Sequence, residues 1–228
     1  SDDVRLFDYN IAFSDKLTGI RCMHRLCRDT AVQLQGAVRE EKDAQKIVLN
    51  QTGNLRALAA IYFECFLYFV VGMFDVLASI TYFIYPEYLT NHKRYFTEQM
   101  DYLINNDINP EYSELLRKDK DWIERADRIR DALTHKASAF LVFNEDGRTV
   151  FESRDRYDDF EPEKVLERYG QRNFIDLLEF IDKTCLNIYD FIDSYVIIHR
   201  KRIPESENSK RRYQNFLMSS RQNAPKRP

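Results

Sequence analysis

Glycine and proline are scarce, with 6 of each among 228 residues. Together with long uninterrupted periodic runs, this leaves little room for an architecture of strands and turns and points to one mostly helical domain. Cysteine is also sparse. Cys22, Cys27, Cys65 and Cys185 contain no CxxC pair, and they form no zinc quartet with the scattered His24, His92, His135 and His199. Neither a metal nor a cofactor is therefore expected, and reduced thiols in a cytoplasmic protein are the simpler reading. No excess of charge of one sign exists either: the net charge is -3 with 31% charged residues. That excludes a global attraction to nucleic acid, so RNA could be held only by a local patch. No basic stretch followed by an apolar run opens the sequence, so secretion is not indicated.

What is present is helical periodicity. Across residues 8–46, Phe13, Leu17, Ile20, His24, Cys27, Ala31, Leu34 and Val38 fall on a near-heptad spacing. His24 interrupts that seam and is read as a partly buried, hydrogen-bonded structural histidine. Residues 50–54 (NQTGN) read as a turn with an N-cap. Residues 55–85 are the most apolar stretch, and residues 61–85 alone are long enough to cross a bilayer. Glu64 and Asp75, aligned with Tyr68, Ser79 and Tyr82, favour the central helix of a soluble bundle instead, with its polar stripe meeting another helix or a subunit interface. Gly72 either permits close approach there or loosens the helix. A shorter helix is expected over residues 91–105, then a loop over NNDINP, then a helix from Glu111 that runs or bends into the next segment.

That segment, residues 119–140, organises the chain. Trp122, Ala126, Ile129, Leu133, Ala137 and Phe140 recur every three or four residues and draw the core face. At about 100° per residue, Asp131 and His135 project nearly opposite this stripe and Arg130 lies on its flank, so all three are expected to face outward. Asp131 and His135 stand at i and i+4, close enough for the carboxylate to orient the imidazole.

An Arg, a polar residue, three more residues and a His is the spacing that marks HEPN domains, and Arg130, Asp131 and His135 reproduce it. The chain therefore resembles the HEPN superfamily. The resemblance implies an all-α antiparallel helical bundle and a metal-independent endoribonuclease whose Arg and His come from two subunits at a homodimer interface. It further implies a toxin or abortive-infection effector held in check by an antitoxin or regulatory protein. Arg130 and His135, with Asp131, would be catalytic, and Arg125, Arg128 and Lys136 would position the RNA substrate. Many active members carry Asn after the Arg and some carry Tyr two residues after the His, whereas Asp131 and Ala137 stand here. Against this reading stand a catalytically inactive helical module that dimerises and binds a nucleotide or protein partner, and a membrane protein built on residues 61–85.

The single domain is expected to span residues 1–202, with a small β-hairpin inserted at about 139–154, where two Val- and Phe-containing runs flank Asn144 to Gly147. The hairpin is either a flap over the substrate groove or a decoration. A short helix over residues 162–169 precedes an amphipathic helix over residues 171–202, on which Phe174, Leu177, Leu178, Ile181, Cys185, Ile188, Tyr189, Ile192 and Tyr195 form the buried stripe. Its last turn, from His199 to Arg202, caps the helix or touches phosphate. Residues 203–228 read as a flexible basic tail.

Overall fold

A computed structural model describes residues 2–44, 49–89, 95–135, 141–143, 147–152 and 174–200. The expected short helix at 162–169 and the tail at 203–228 lie outside them. Among the described residues five helices are formed: α1 (Asp2–Ala44), α2 (Leu49–Ile84), α3 (Phe96–Asn106), α4 (Pro110–His135) and α5 (Leu177–His199). Three short strands, β1 (Leu141–Phe143), β2 (Thr149–Glu152) and β3 (Phe174–Asp176), form one antiparallel sheet in that order.

The long helices pack as the apolar spacing dictates. Along α1, Phe13, Leu17, Ile20, Cys27, Ala31 and Leu34 are all buried. α1 and α2 run antiparallel, because Tyr9 meets Phe83, His24 meets Phe66 and Cys27 approaches the Ala59 carbonyl. Lys16 lies across α2 over the Tyr68 and Phe69 rings, and its Nζ is 3.0 Å from where a Cβ on Gly72 would stand. Gly72 thus makes room for a side chain from the neighbouring helix. α5 completes the layer through His24 Nε2, 2.7 Å from Asp182 Oδ1, through Arg28 on the same carboxylate, and through Arg21, which donates to the Tyr189 hydroxyl. His24 is therefore partly buried and hydrogen-bonded. Burial pushes the Cys27 and Cys185 thiols up to about 12, which keeps them protonated and unreactive.

α2 is the central helix. One face is buried from Ala59 to Tyr85, and Phe74 touches Phe96 of α3, Trp122 of α4 and Phe191 of α5. Residues 53–84 are long and apolar enough to cross a membrane, with half of the most apolar window buried inside the bundle. The NQTGN stretch expected to turn lies wholly within α2. Its polar residues occupy the opening turns of the helix, where their helix-breaking cost is lowest and packing farther along decides the outcome.

α3 and α4 form a tight hairpin. Asp107 ends α3 in the left-handed region (φ 45°), and Asn109 caps α4 by accepting the Tyr112 amide ahead of Pro110 in the first turn. α4 is continuous, so the helix from Glu111 runs straight into the motif segment.

The inserted hairpin is present, with Gly147 at φ 75° in its connection. Its core face packs Phe151 against Phe63 and Phe180 at ring distances of 4.7 and 5.3 Å. The last amphipathic segment departs from expectation at its start. Phe174, Ile175 and Asp176 pair with β2 as a third strand, and Phe174 is exposed rather than buried. Asp176 then caps α5 by accepting the Glu179 amide at 2.9 Å.

At the other end of α5, His199 turns inward. It is 1% exposed, with Nδ1 2.8 Å from the Tyr195 carbonyl and its ring against Tyr112 and Tyr85. It satisfies the last turn from within the core and is not placed to touch phosphate.

Buried Asp119 on α4 yields a test of the core electrostatics. Its Oδ1 accepts from Trp122 Nε1 at 2.7 Å, while Oδ2 is buried with no partner among the described residues. Burial raises its pKa above the ordinary carboxylate value, opposed by the Trp122 hydrogen bond and Lys118. The folded state therefore holds this proton to higher pH than the unfolded chain does, and the group's contribution to stability falls as pH rises through the raised value. Asp119→Asn keeps the acceptor for Trp122 and removes the charge. It is expected to raise the melting temperature at about pH 8 by ~2–4 °C and to change it less at about pH 4. Melting curves that shift equally at both pH values would contradict this account.

Candidate functional site

The motif residues lie on the C-terminal half of α4. Alternation of Ile123, Ala126 and Ile129 toward the core rotates Arg130 to the edge of the buried face, where α2 and the start of α3 cover it. The wheel expectation that Arg130 faces outward is thereby corrected: its side chain is 26% exposed and lines a cleft of about 360 Å³. Asp131 does face outward, at 53% exposed, and touches the rim of the same cleft.

The cleft is built by three elements. Val71, Phe74 and Asp75 come from α2, Tyr95 to Glu98 from the start of α3, and Ile123, Ala126, Asp127, Arg130 and Asp131 from α4. No side chain caps the N-terminus of α3 from its own N-cap position, Tyr95. Asp75 takes that part from across the cleft by accepting the Phe96 amide. The polar stripe of α2 thus meets another helix at Asp75, one of the two possibilities raised by its sequence.

Arg130 supplies the positive charge among the lining residues. Its Nη2 donates to Asp127 Oδ1 at 2.6 Å and approaches Asp131 Oδ1 at 3.1 Å. Burial acts to lower its pKa, but Asp127, Asp131 and Asp75 outweigh that and raise it, so the guanidinium is charged at every accessible pH. Arg130 Nε is buried with no partner among the described residues, one donor of the fork left unused. Asp75 shifts the other way from a salt-bridged carboxylate: burial raises its pKa, against the Phe96 hydrogen bond.

The remaining expected site residues divide. Arg125 and Arg128 are both exposed on α4, and Arg128 reaches Glu124 at 3.6 Å. His135 is the last residue of α4, so its backbone continues the Arg130 helix, while its side chain and Lys136 lie outside the described residues. No strand residue among those described lines the cleft. Among the described residues, no group of three His, Cys, Asp or Glu side chains is arranged to hold a metal ion.

Asp127 and Asp75 are the participants that motif spacing did not single out. Asp127 was visible in principle, since a carboxylate three residues before an arginine on a helix is a natural partner. Asp75 was visible only as an anomaly, a carboxylate in an apolar helix. Comparison with family models, curated proteins and solved structures finds no match to the chain.

Proposed function

We propose that this chain is a metal-independent endoribonuclease of HEPN type, acting as a toxin or abortive-infection effector in the cytoplasm and completed by a second copy of itself. The observation that carries the reading is Arg130, a charged guanidinium in the wall of a cleft, with an unused buried donor and with His135 five residues on along the same helix.

In the reaction, the ribose 2'-hydroxyl attacks the adjacent phosphorus, and the imidazole of His135 accepts its proton. Negative charge grows on the non-bridging oxygens, where the planar fork of Arg130 neutralises it. The P–O5' bond breaks, the departing oxygen takes a proton from the second copy's imidazolium, and the products are a 2',3'-cyclic phosphate and a 5'-hydroxyl. Asp131 stabilises the imidazolium, and Arg125, Arg128 and Lys136 hold flanking phosphates. An antitoxin or other regulatory protein would act by covering this face.

The test is incubation of the purified protein with RNA in the presence of a chelator. Fragments ending in 2',3'-cyclic phosphate are expected. Intact RNA under all conditions, or cleavage only after divalent metal is restored, would overturn the reading. One observation favours a second reading, a catalytically silent HEPN-like module that dimerises and binds a nucleotide or protein: Asp127 and Asp131 already neutralise Arg130. Specific binding of such a partner without RNA cleavage would support it.

A further inference from the structure

We infer that the cleft beside Arg130 is a subsite for a guanine base of single-stranded RNA, stacked on Tyr95 at the rim and read by Asp75. The inference rests on the nuclease reading only in taking the ligand to be RNA.

Size comes first. At about 360 Å³ the cleft is near the lower end of the ~300–1,000 Å³ that ligand pockets span, which suits one flat ring system rather than an extended molecule. The walls decide what kind. Val71, Phe74, Phe96, Ile123 and Ala126 form a closely packed apolar floor, and the face free for stacking a base is that of Tyr95, 55% exposed at the rim.

Polar groups then select the edge. Apart from Arg130, the charged side chains that line the cleft are carboxylates, so a ligand edge placed against them must bring donors. Asp127 and Asp131 are engaged with Arg130. Glu98 and Asp75 are the two lining carboxylates outside these ion pairs: Glu98 is exposed on the first turn of α3, whereas Asp75 is part-buried and accepts the Phe96 amide, although an ionised carboxylate can accept about four hydrogen bonds. Guanine alone among the four RNA bases sets two donors side by side, N1–H and the N2 amine, to match two carboxylate oxygens. Adenine and cytosine set a donor beside an acceptor, and uracil flanks its donor with acceptors.

Binding of 5'-GMP, AMP, CMP and UMP to the full-length His135→Ala protein tests this, followed by calorimetry and by fluorescence of Trp122, whose ring is 5.5 Å from that of Phe74. Saturable GMP binding about tenfold or more tighter than that of the other three is expected. Asp75→Asn should abolish that preference while leaving AMP binding unchanged. Because Asp75 also caps α3, Tyr95→Ala serves as a second variant, exposed and outside the core. It should weaken GMP binding about tenfold while leaving the melting temperature unchanged. Equal binding of all four nucleotides, no binding, or displacement of GMP by a simple diamine as effectively as by guanosine would overturn the subsite. Cleavage of a mixed-sequence RNA with no guanine preference, combined with absent GMP binding, would sink the subsite and leave the nuclease standing. Selective GMP binding by a protein that never cuts RNA would do the reverse.

Discussion

Arg130→Ala and His135→Ala are each expected to reduce RNA cleavage by about 10²–10⁴-fold, because each removes a group that acts chiefly in the transition state. The two losses are not equivalent in the folded protein. Arg130 is half-buried and tied to Asp127 at 2.6 Å, so truncating it leaves a partly desolvated carboxylate without its cation. Some destabilisation is therefore expected of Arg130→Ala itself, and inactivity alone would be ambiguous. Arg130→Lys resolves the ambiguity. It keeps the positive charge for Asp127 but supplies a single ammonium in place of a planar fork, so a folded protein with most of its activity lost is expected. The decisive readout is the rate of cyclic-phosphate formation alongside the melting curve. Full activity in Arg130→Lys would make the residue a mere countercharge, and undiminished cleavage in His135→Ala would remove the proposed proton carrier. Mixing the two alanine variants adds a test of shared sites. The proposed reaction uses an imidazole from each copy, so a mixed dimer, which keeps one imidazole and one guanidinium, should stay inactive, and recovered activity would show that one imidazole suffices.

The helical framework was legible because it is carried by local repetition. Phe13, Leu17, Ile20, Cys27, Ala31 and Leu34 bury as their spacing requires, and the hairpin announces itself by its turn residues. Misreadings occur where local preference and tertiary packing disagree. The NQTGN stretch has the composition of a turn, yet it is the first part of a helix whose buried length outweighs roughly 1 kcal/mol for one glycine. Phe174 continues a helical apolar spacing by coincidence, and β2 captures it as a strand instead. The Asp176 and Glu179 pair, an acidic capping arrangement, was the signal that α5 begins only at Leu177. The candidate site was half legible. Spacing found Arg130, Asp131 and His135, but the wheel of one helix carries no information about its neighbours. The flank assigned to Arg130 is where α2 and α3 arrive, so the residue lies at a cleft and not on an open surface. The Asp75 and Phe96 contact joins two elements and leaves no periodic trace in either.

Phe74→Ala is expected to be the most destabilising single change in the bundle, costing about 3–5 kcal/mol. The ring is 3% exposed and packs edge-on or tilted against Phe96, Trp122 and Phe191 at 4.8, 5.5 and 5.4 Å, so it joins α2, α3, α4 and α5 at one point. A cavity here cannot close by moving one neighbour, because each of those rings belongs to a different helix. Against a typical domain stability of about 5–15 kcal/mol, such a loss consumes a large fraction, and the melting temperature should fall by ~6–20 °C. Urea or thermal unfolding measures it directly, and a loss below about 1 kcal/mol would show that the junction is not closely packed. Phe74 also lines the cleft, which gives the variant a second use. Assayed well below its own melting temperature, where nearly all molecules are folded, Phe74→Ala should cut RNA at the parent rate if the ring serves packing alone. A fall in cleavage at guanines that exceeds the fall elsewhere would mean that the ring also shapes the floor under the base, because unfolding removes all sites equally and loss of the cleft floor does not.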